Sequence, residues 1–459
     1  LGAEPLVGLA SALTVLATLR LDRSADVAAA VRGGALAGAA AGLAVAAKLT
    51  GVGVAVVPLL LCAWLAYRHR RRADLARLLA VALAAILMFR VANPGAFEGL
   101  GWSLKQAFLD DFRASRLVAD LDAPPAVQWA NRVVVVDALR WLLVFTIGPG
   151  ACIAAAVGVV SLWRRRALVA RWNVAVAVSA LALPGALVLQ SFSPTGRYFM
   201  ALAPALHAVA GVGLVVLWNA RPQPAGTARR AMAPVLAALL AAAALLWGVA
   251  FVNGVYGHDH TRIVASRWIQ ATVPPGAVLS SEAWDDALPL SVSGIDTTTW
   301  PNEQFDLFGA DSVAKVEHLA DQLGVVDYVV ESSPRVWGSV QRIPVRYPST
   351  INFFDGLESG RLGFERVATF TSAPRVSLFG VQLWRLDDAG AEEAFSVYDH
   401  PEVRIWQRVR TLDRAELLRV LDPAAASTAV HVSPQKARAN GLMLFADELA
   451  ANETVGTYD

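Results

Sequence analysis

Two cations stand where so apolar a chain has little use for them. Lys48 lies in Ala46-Ala47-Lys48-Leu49-Thr50-Gly51, between two apolar runs. Arg197 lies in Ser193-Pro194-Thr195-Gly196-Arg197-Tyr198-Phe199, at the head of another. A charge at membrane depth costs several kcal/mol unless it meets a cavity or a partner, so each marks a candidate site. Arginine grips phosphate with a bidentate fork, and lysine acts on it as a point charge. Taken together, with Tyr198 beside them, they point to an anionic ligand such as a lipid phosphate. Taken singly, each has a plainer explanation: Lys48 snorkels to head groups and Arg197 caps a loop.

Other groups stand around this pair in the sequence. Glu4 heads the first apolar run, either as an ordinary interfacial carboxylate or as a catalytic candidate. Arg90, in Phe89-Arg90-Val91-Ala92-Asn93-Pro94, either adds to a positive rim or ends a helix. Asp110 and Asp111, in a long polar segment, and Asp285 and Asp286, in Trp284-Asp285-Asp286, are candidate donor or acceptor contacts. The last two read equally as a structural acidic turn. His258, Asp259 and His260 have loose metal-ligand spacing and lack an evident third ligand, so a solvated helix start describes them better and no metal site is assigned. A divalent metal is compatible with the pattern but not required by it.

The elements that must position these groups follow from composition. The chain has 459 residues, of which 56% are hydrophobic and 17% charged. Its mean hydropathy is +0.47. Residues 1–252 hold 23 Lys+Arg against 10 Asp+Glu, a balance of +13; residues 253–459 hold 17 against 28, a balance of −11. A basic apolar half thus precedes an acidic, soluble-looking half. This excludes a single soluble domain, a disordered chain and, for want of a basic groove, a nucleic-acid binder. The cysteines, Cys62 and Cys152, both lie in apolar runs, so no disulfide framework holds the acidic half.

About eight stretches approach the roughly 20 apolar residues that a spanning helix needs: 5–20, 28–47, 51–67, 75–92, 136–163, 171–190, 198–218 and 231–252. The fifth is interrupted by Gly148-Pro149-Gly150, which should break or kink it. Every second loop is arginine-rich: Arg20, Arg23 and Arg32; Arg68, Arg70, Arg71, Arg72 and Arg77; Arg164, Arg165, Arg166 and Arg171; Arg221, Arg229 and Arg230. The positive-inside rule makes those four cytoplasmic. Lys48, Arg197, the segment 93–134 and the acidic half are then external. The first span would run inward from Leu1, so one or more preceding spans are expected. The segment 93–134 mixes Trp102, Phe108, Phe112 and Trp129 with Asp110, Asp111, Arg113 and Arg116, as an amphipathic surface helix or a helical cap over the bundle would.

The acidic half, 253–459, reads as an α/β domain. Helices are predicted over 260–272, 315–323 and 414–421. Strands are predicted over 277–280, 325–330, 364–371, 376–386 and 403–408. Helix and buried strand in alternation argue for a sandwich with a partly parallel sheet. No glycine-rich phosphate loop or nucleophile elbow occurs in it.

Glu4-Pro5-Leu6, Gly42 to Thr50, and Arg197-Tyr198-Phe199 with Pro204 resemble the polyprenyl-phosphate-sugar-dependent glycosyltransferases of the GT-C superfold. Within it they look like glycosyltransferase family 39 in the broad sense, which includes protein O-mannosyltransferases and bacterial aminoarabinose transferases. His260-Thr261-Arg262, Ser266-Arg267-Trp268-Ile269, Pro274-Pro275-Gly276, Glu282-Ala283-Trp284-Asp285-Asp286, Arg346-Tyr347-Pro348 and Val397-Tyr398-Asp399-His400-Pro401 continue the likeness, which covers most of the chain. The resemblance implies a multi-pass plasma-membrane enzyme of the cell envelope. It would move a sugar from a polyprenyl phosphate to an acceptor hydroxyl of a glycan, lipid or protein in one inverting step. An external carboxylate would serve as base and cations would stabilise the departing phosphate. Lys48, Arg197 and Tyr198 would then hold the phosphate. The family's main catalytic Asp follows its first span, and this chain has no matching loop; the resemblance places that base before Leu1 and leaves Glu4 at most a second carboxylate. Two other readings compete: a transporter or flippase of lipid-linked sugars, and a non-catalytic cell-envelope assembly protein.

Overall fold

The computed structural model describes residues 3–110, 123–130, 132, 134–164, 171–189, 195–219, 227–291 and 294–440. The chain forms two compact units, one of Leu1–Val118 with Val134–Trp247, the other of Ala119–Val133 with Gly248–Asp459.

The first unit is helical. Among the described residues, five helices are long and apolar enough to cross a membrane: Val27–Ala47, Leu49–His69, Arg72–Ala92, Arg171–Leu189 and Met232–Thr272. Three shorter apolar helices, Glu4–Leu19, Pro149–Arg164 and Ala203–Trp218, occupy the other stretches expected to be apolar. We label as α1 Glu4–Leu19, α2 Val27–Ala47, α3 Val52–His69, α4 Arg72–Ala92, α5 Pro149–Arg164, α6 Arg171–Leu189, α7 Ala203–Trp218 and α8 Thr227–Phe251. The fifth apolar run divides as Gly148-Pro149-Gly150 requires. A short helix, Val134–Arg140, passes through a wide turn, Trp141–Thr146, and stops at Gly148, whose φ is 84°. Pro149 then opens α5, because its missing N–H costs nothing in a first turn.

These helices meet through small residues. Gly34, Gly38 and Gly42 face α4, where a Cβ would stand 2.6, 2.2 and 2.2 Å from the carbonyl oxygens of Arg77, Val81 and Ala85. Backbone therefore lies on backbone. α5 and α7 repeat the device, with Gly158 against the Val209 carbonyl and Gly213 against that of Ala154, each at 2.0 Å. Close approach of this kind holds helices together where burial of large side chains supplies no drive.

One arginine departs from its expected place. Arg77 was grouped with the solvated loop arginines, yet it is wholly buried in α4. Its guanidinium pairs with Asp74 and donates to the carbonyls of Asp22 (2.6 Å) and Ser24 (3.3 Å). It thereby fastens the α1–α2 loop, and those acceptors offset its desolvation.

The second unit is an α/β domain around a five-stranded sheet, ordered β2-β1-β3-β7-β4. The strands are β1 Leu279–Glu282, β2 Asn302–Phe305, β3 Tyr328–Glu331, β4 Phe364–Phe370, β5 Arg375–Leu378, β6 Val381–Arg385 and β7 Val403–Arg408. β1 runs parallel to β2 and β3, while β7 is antiparallel to β3 and β4, so the sheet is partly parallel as expected. Side chains alternate across it. Val329 and Trp406 face one core with Phe305, Leu319, Phe353 and Leu417. Val330 and Ile405 face the other, with Ile269, Leu279 and Trp300. Helices α9 Thr261–Thr272, α10 Val313–Val325, α11 Pro348–Glu358 and α12 Arg414–Leu421 supply the covering side chains. The run 376–386, read as one strand, is instead a hairpin of β5 and β6 turned at Phe379-Gly380, where both φ angles are positive. Val127 and Ala130, assigned from sequence to a loop of the membrane half, are buried in the core of the α/β unit.

Candidate functional site

The helical unit brings four of the expected residues together. Glu4 opens α1, followed by Pro5 in the helix's first turn. Lys48 ends α2 in extended conformation (φ −164°, ψ 140°), and a 3-10 turn, Leu49–Gly51, leads into α3. The turn is tight because Gly51 sits on the Ala44 carbonyl, 2.2 Å from where a Cβ would be. Arg197 and Tyr198 lie on a second 3-10 turn, Gly196–Ala201, anchored by buried Phe199.

Lys48 Nζ forms an ion pair with Glu4 Oε1, and both side chains keep about a quarter of their surface exposed (22% and 25%). Lys48 Nζ also lies 5.6 Å from the centre of the Tyr198 ring, and the Arg197 guanidinium carbon lies 5.7 Å from it. One tyrosine thus joins both cations, each within cation–π range. Glu4, Lys48 and Arg197 together carry one net positive charge, which complements the single negative charge of a phosphodiester. The Glu4 contact is new: as a base, Glu4 must first leave Lys48, and as a phosphate ligand Lys48 must share itself with Glu4.

The other expected contacts go elsewhere. Arg90 donates to the carbonyls of Gly101 (3.0 Å) and Gly99 (2.9 Å) and lies over the Phe97 ring at 4.6 Å, so it holds the loop that follows α4. Asp110 accepts from Gln106 at 2.8 Å. Asp111 lies outside the described residues, as do Phe112, Arg113 and Arg116 of the proposed amphipathic stretch. Asp285 is buried and bound by Arg262 and Ser333. Asp286 is exposed and takes the other arm of Arg262 at 2.7 Å. Those two aspartates therefore act first as a clamp on Arg262. His260 caps α9, accepting the Arg262 N–H, while His258 meets Arg375 and Asp259 meets Arg267. Among the described residues no three His, Cys, Asp or Glu side chains gather to hold a metal.

Two features of the α/β unit were not singled out from the sequence. The first is a cavity of about 450 Å³ whose walls include Arg335, Arg342, Trp337, Asp388, Glu393 and His400. Arg335 Nε donates to Glu393 at 2.8 Å. His400, quoted above only as part of a family-like string, is buried between Asp388 (3.0 Å) and Asp399. Burial opposes a charge on its imidazole, but hydrogen bonds to Asp388 and Asp399 and their negative charge outweigh that and push it up to about 9. The second is a pair of buried carboxyls at the ends of the parallel strands β1 and β3, Glu282 and Glu331. Burial pushes Glu331 up to about 7, although the Arg404 charge and the Trp406 N–H pull the other way. Burial, then the charges of Glu331 and Asp285, hold Glu282 well above the usual carboxylate range. The sequence carried no periodic signal for either cluster, because both join residues far apart in the chain.

No family model matches this chain, and no curated protein matches it.

Proposed function

We propose that the protein is an integral-membrane glycosyltransferase that takes a sugar from a polyprenyl-phosphate carrier at the outer face of the membrane. The observation that carries this reading is the junction of Lys48 and Arg197 on the Tyr198 ring, with Glu4 in contact with Lys48. Residues from α1, the α2–α3 turn and the turn before α7 converge there at one end of the apolar bundle. In this reading that end and the α/β unit are outside a plasma membrane crossed about eight times, which the alternating arginine-rich loops of the sequence support. Arg197 and Lys48 stabilise the negative charge that builds on the carrier phosphate as the sugar–oxygen bond breaks. The acceptor hydroxyl attacks from the opposite face of the sugar, and a carboxylate takes its proton.

The test measures binding and transfer of a polyprenyl-phosphate sugar by the protein in nanodiscs. Loss of one charge-assisted contact is worth about 1.5–3 kcal/mol, so Arg197→Ala should weaken binding roughly ten- to a hundredfold. Arg197→Lys should recover part of it, since the charge remains and the fork is lost. Lys48→Ala should act likewise, with less than additive loss in the double variant if both grip one phosphate. Unchanged binding and transfer in a folded double variant would refute the assignment and favour a transporter or an assembly protein.

A further inference from the structure

We infer that the β5–β6 hairpin is a membrane-dipping element, with its turn inserted among the head groups and upper acyl chains of the leaflet that borders the α/β unit. The hairpin lies outside the five-stranded sheet. Its apolar side chains are out of any core: Phe379 at the turn is 96% exposed, and Leu378, Val381, Leu383 and Trp384 are exposed with it. Five large apolar groups on so short a ribbon form a patch of the kind that marks a protein or membrane contact.

The connection to the last apolar helix selects the membrane. α8 runs to Phe251 and continues as a wide turn, Val252–Tyr256. The hairpin strand lies along that turn. Ser372 Oγ donates to the Gly254 carbonyl, and a Cβ on Gly254 would stand 2.0 Å from the Ala373 carbonyl oxygen. One residue nearer α8, Asn253 donates to the Ser377 carbonyl at 3.4 Å. Asn253, one residue nearer α8 than Gly254, thus meets a residue nearer the hairpin turn, so the Phe379 end lies on the side of Gly248–Phe251, the end of α8 that belongs to the same unit. At about 3.3 Å per strand residue, Phe379 reaches roughly 7 Å beyond Ser377. That is within the roughly 5–10 Å by which interfacial elements bury their apolar face.

Charge fits the same placement. Arg375 and Arg385 are directly paired across the base of the hairpin. Like charges in register repel; Arg375 meets His258 and Arg385 borders the cavity that holds Asp388 and Glu393, and lipid phosphates would add to these partners. Arginines at the base with Phe, Leu, Val and Trp beyond them reproduce the polarity gradient from head group to acyl chain. The inference rests on α8 crossing the bilayer and not on the donor chemistry, so either can fail alone.

The experiment places a spin label at Phe379→Cys in the full chain, with Cys62 and Cys152 replaced by alanine, in phosphatidylcholine–phosphatidylglycerol nanodiscs. A label at Val325→Cys, on exposed surface of α10, serves as the aqueous reference. Collision with oxygen, which concentrates in lipid, should exceed collision with a water-soluble nickel chelate at position 379, and the order should reverse at 325. Nickel access at 379 equal to that at 325 would overturn the inference. Shielding of 379 from both reagents would also overturn it, because protein rather than lipid would then cover the turn. Since Phe379 is outside every core, the substitution leaves folding intact, which the matching thermal unfolding of both labelled proteins verifies.

Discussion

The two units differ in which residues make their closest packing. In the helical unit the closest contacts belong to Gly34, Gly38, Gly42, Gly158 and Gly213, each set against a carbonyl of the neighbouring helix. In the α/β unit the largest buried groups include Phe305, Phe353, Phe364 and Tyr347. The media explain the difference. Water drives large apolar side chains into a core, at about 25 cal/mol per Å² removed. Lipid offers no such gain, so helices are held by close approach, and the smallest side chain allows the closest. The exposed leucines of the first unit, such as Leu36, Leu83 and Leu239, belong to the same logic: they lie on helices long and apolar enough to cross a membrane, whose acyl chains are as apolar as they are.

The comparison breaks most visibly under opposite substitutions. Gly38→Leu should force α2 away from α4, because its Cβ would fall 2.2 Å from a backbone oxygen that cannot step aside. Overpacking costs about 1–3 kcal/mol in forgiving cores and more where backbone must move. Loss of a monodisperse peak on size exclusion in detergent is the expected result. Phe353→Ala, which shrinks a wholly buried side chain of the other core, should cost about 3–5 kcal/mol in thermal or denaturant unfolding. If Gly38→Leu were tolerated as well as an exposed substitution, the glycine stripe would not be the helix contact described here.

The units also differ in how they hold charge, and pH separates them. An acid whose folded pKa is raised favours folding while protonated and loses that advantage as pH rises through the folded value. Glu331 moves from 4.5 to about 7, so its contribution, on the order of 3 kcal/mol, should fade between those values. Glu282 moves in the same direction. His400, raised from 6.5 to about 9, stabilises fully below 6.5 and loses its contribution by about 9. All three therefore make the α/β unit weaker as pH rises. Hydrogen exchange of Tyr328–Glu331 and Val403–Arg408 in the full chain should accelerate, after correction for intrinsic rates, from about pH 5 to 9. Glu331→Gln, which keeps an acceptor for the Trp406 N–H, should flatten the lower part of that fall. A fall of unchanged size in the variant would remove Glu331 as its source.

What was legible follows from the range of the forces involved. β7 coincides with its expected span, because Val403, Ile405 and Trp406 are buried within one strand. α12 is also placed to the residue, since Asp413 and Glu416 form a capping box at its start. β2 was invisible: Asn302-Glu303-Gln304-Phe305 has no apolar alternation, and it lies at a sheet edge. Arg77 misled for a different reason. Its neighbours in sequence are solvated arginines, and only the fold supplies the carbonyls of Asp22 and Ser24 that let it be buried. Topology alone leads to the expectation that Lys48 and Arg197 share one face of the bundle, and their meeting on the Tyr198 ring is a matter of side chains. The Glu4–Lys48 contact and the His400 cluster required side chains in place.

The smallest expected effect sharpens the boundary of the candidate site. Arg90 sits on an apolar helix end, as Lys48 and Arg197 sit beside apolar runs, and by sequence alone all three are equal claimants on a phosphate. The structure separates them by neighbour: Lys48 and Arg197 share the Tyr198 ring, and Arg90 lies on another. Arg90 is half-buried and binds the carbonyls of Gly99 and Gly101 and the Phe97 ring, through hydrogen bonds that water reaches. Exposed contacts of this kind are worth no more than about 1 kcal/mol, because water competes for both partners. Arg90→Ala should therefore lower thermal stability slightly and leave carrier-lipid binding within about twofold of the parent, since nothing it touches belongs to the Tyr198 junction. Arg197→Ala, measured beside it, provides the scale. If Arg90→Ala instead weakened binding as much as Arg197→Ala, the loop after α4 would form part of the phosphate site, and Gly99 and Gly101 would be the backbone that holds a ligating arginine in position.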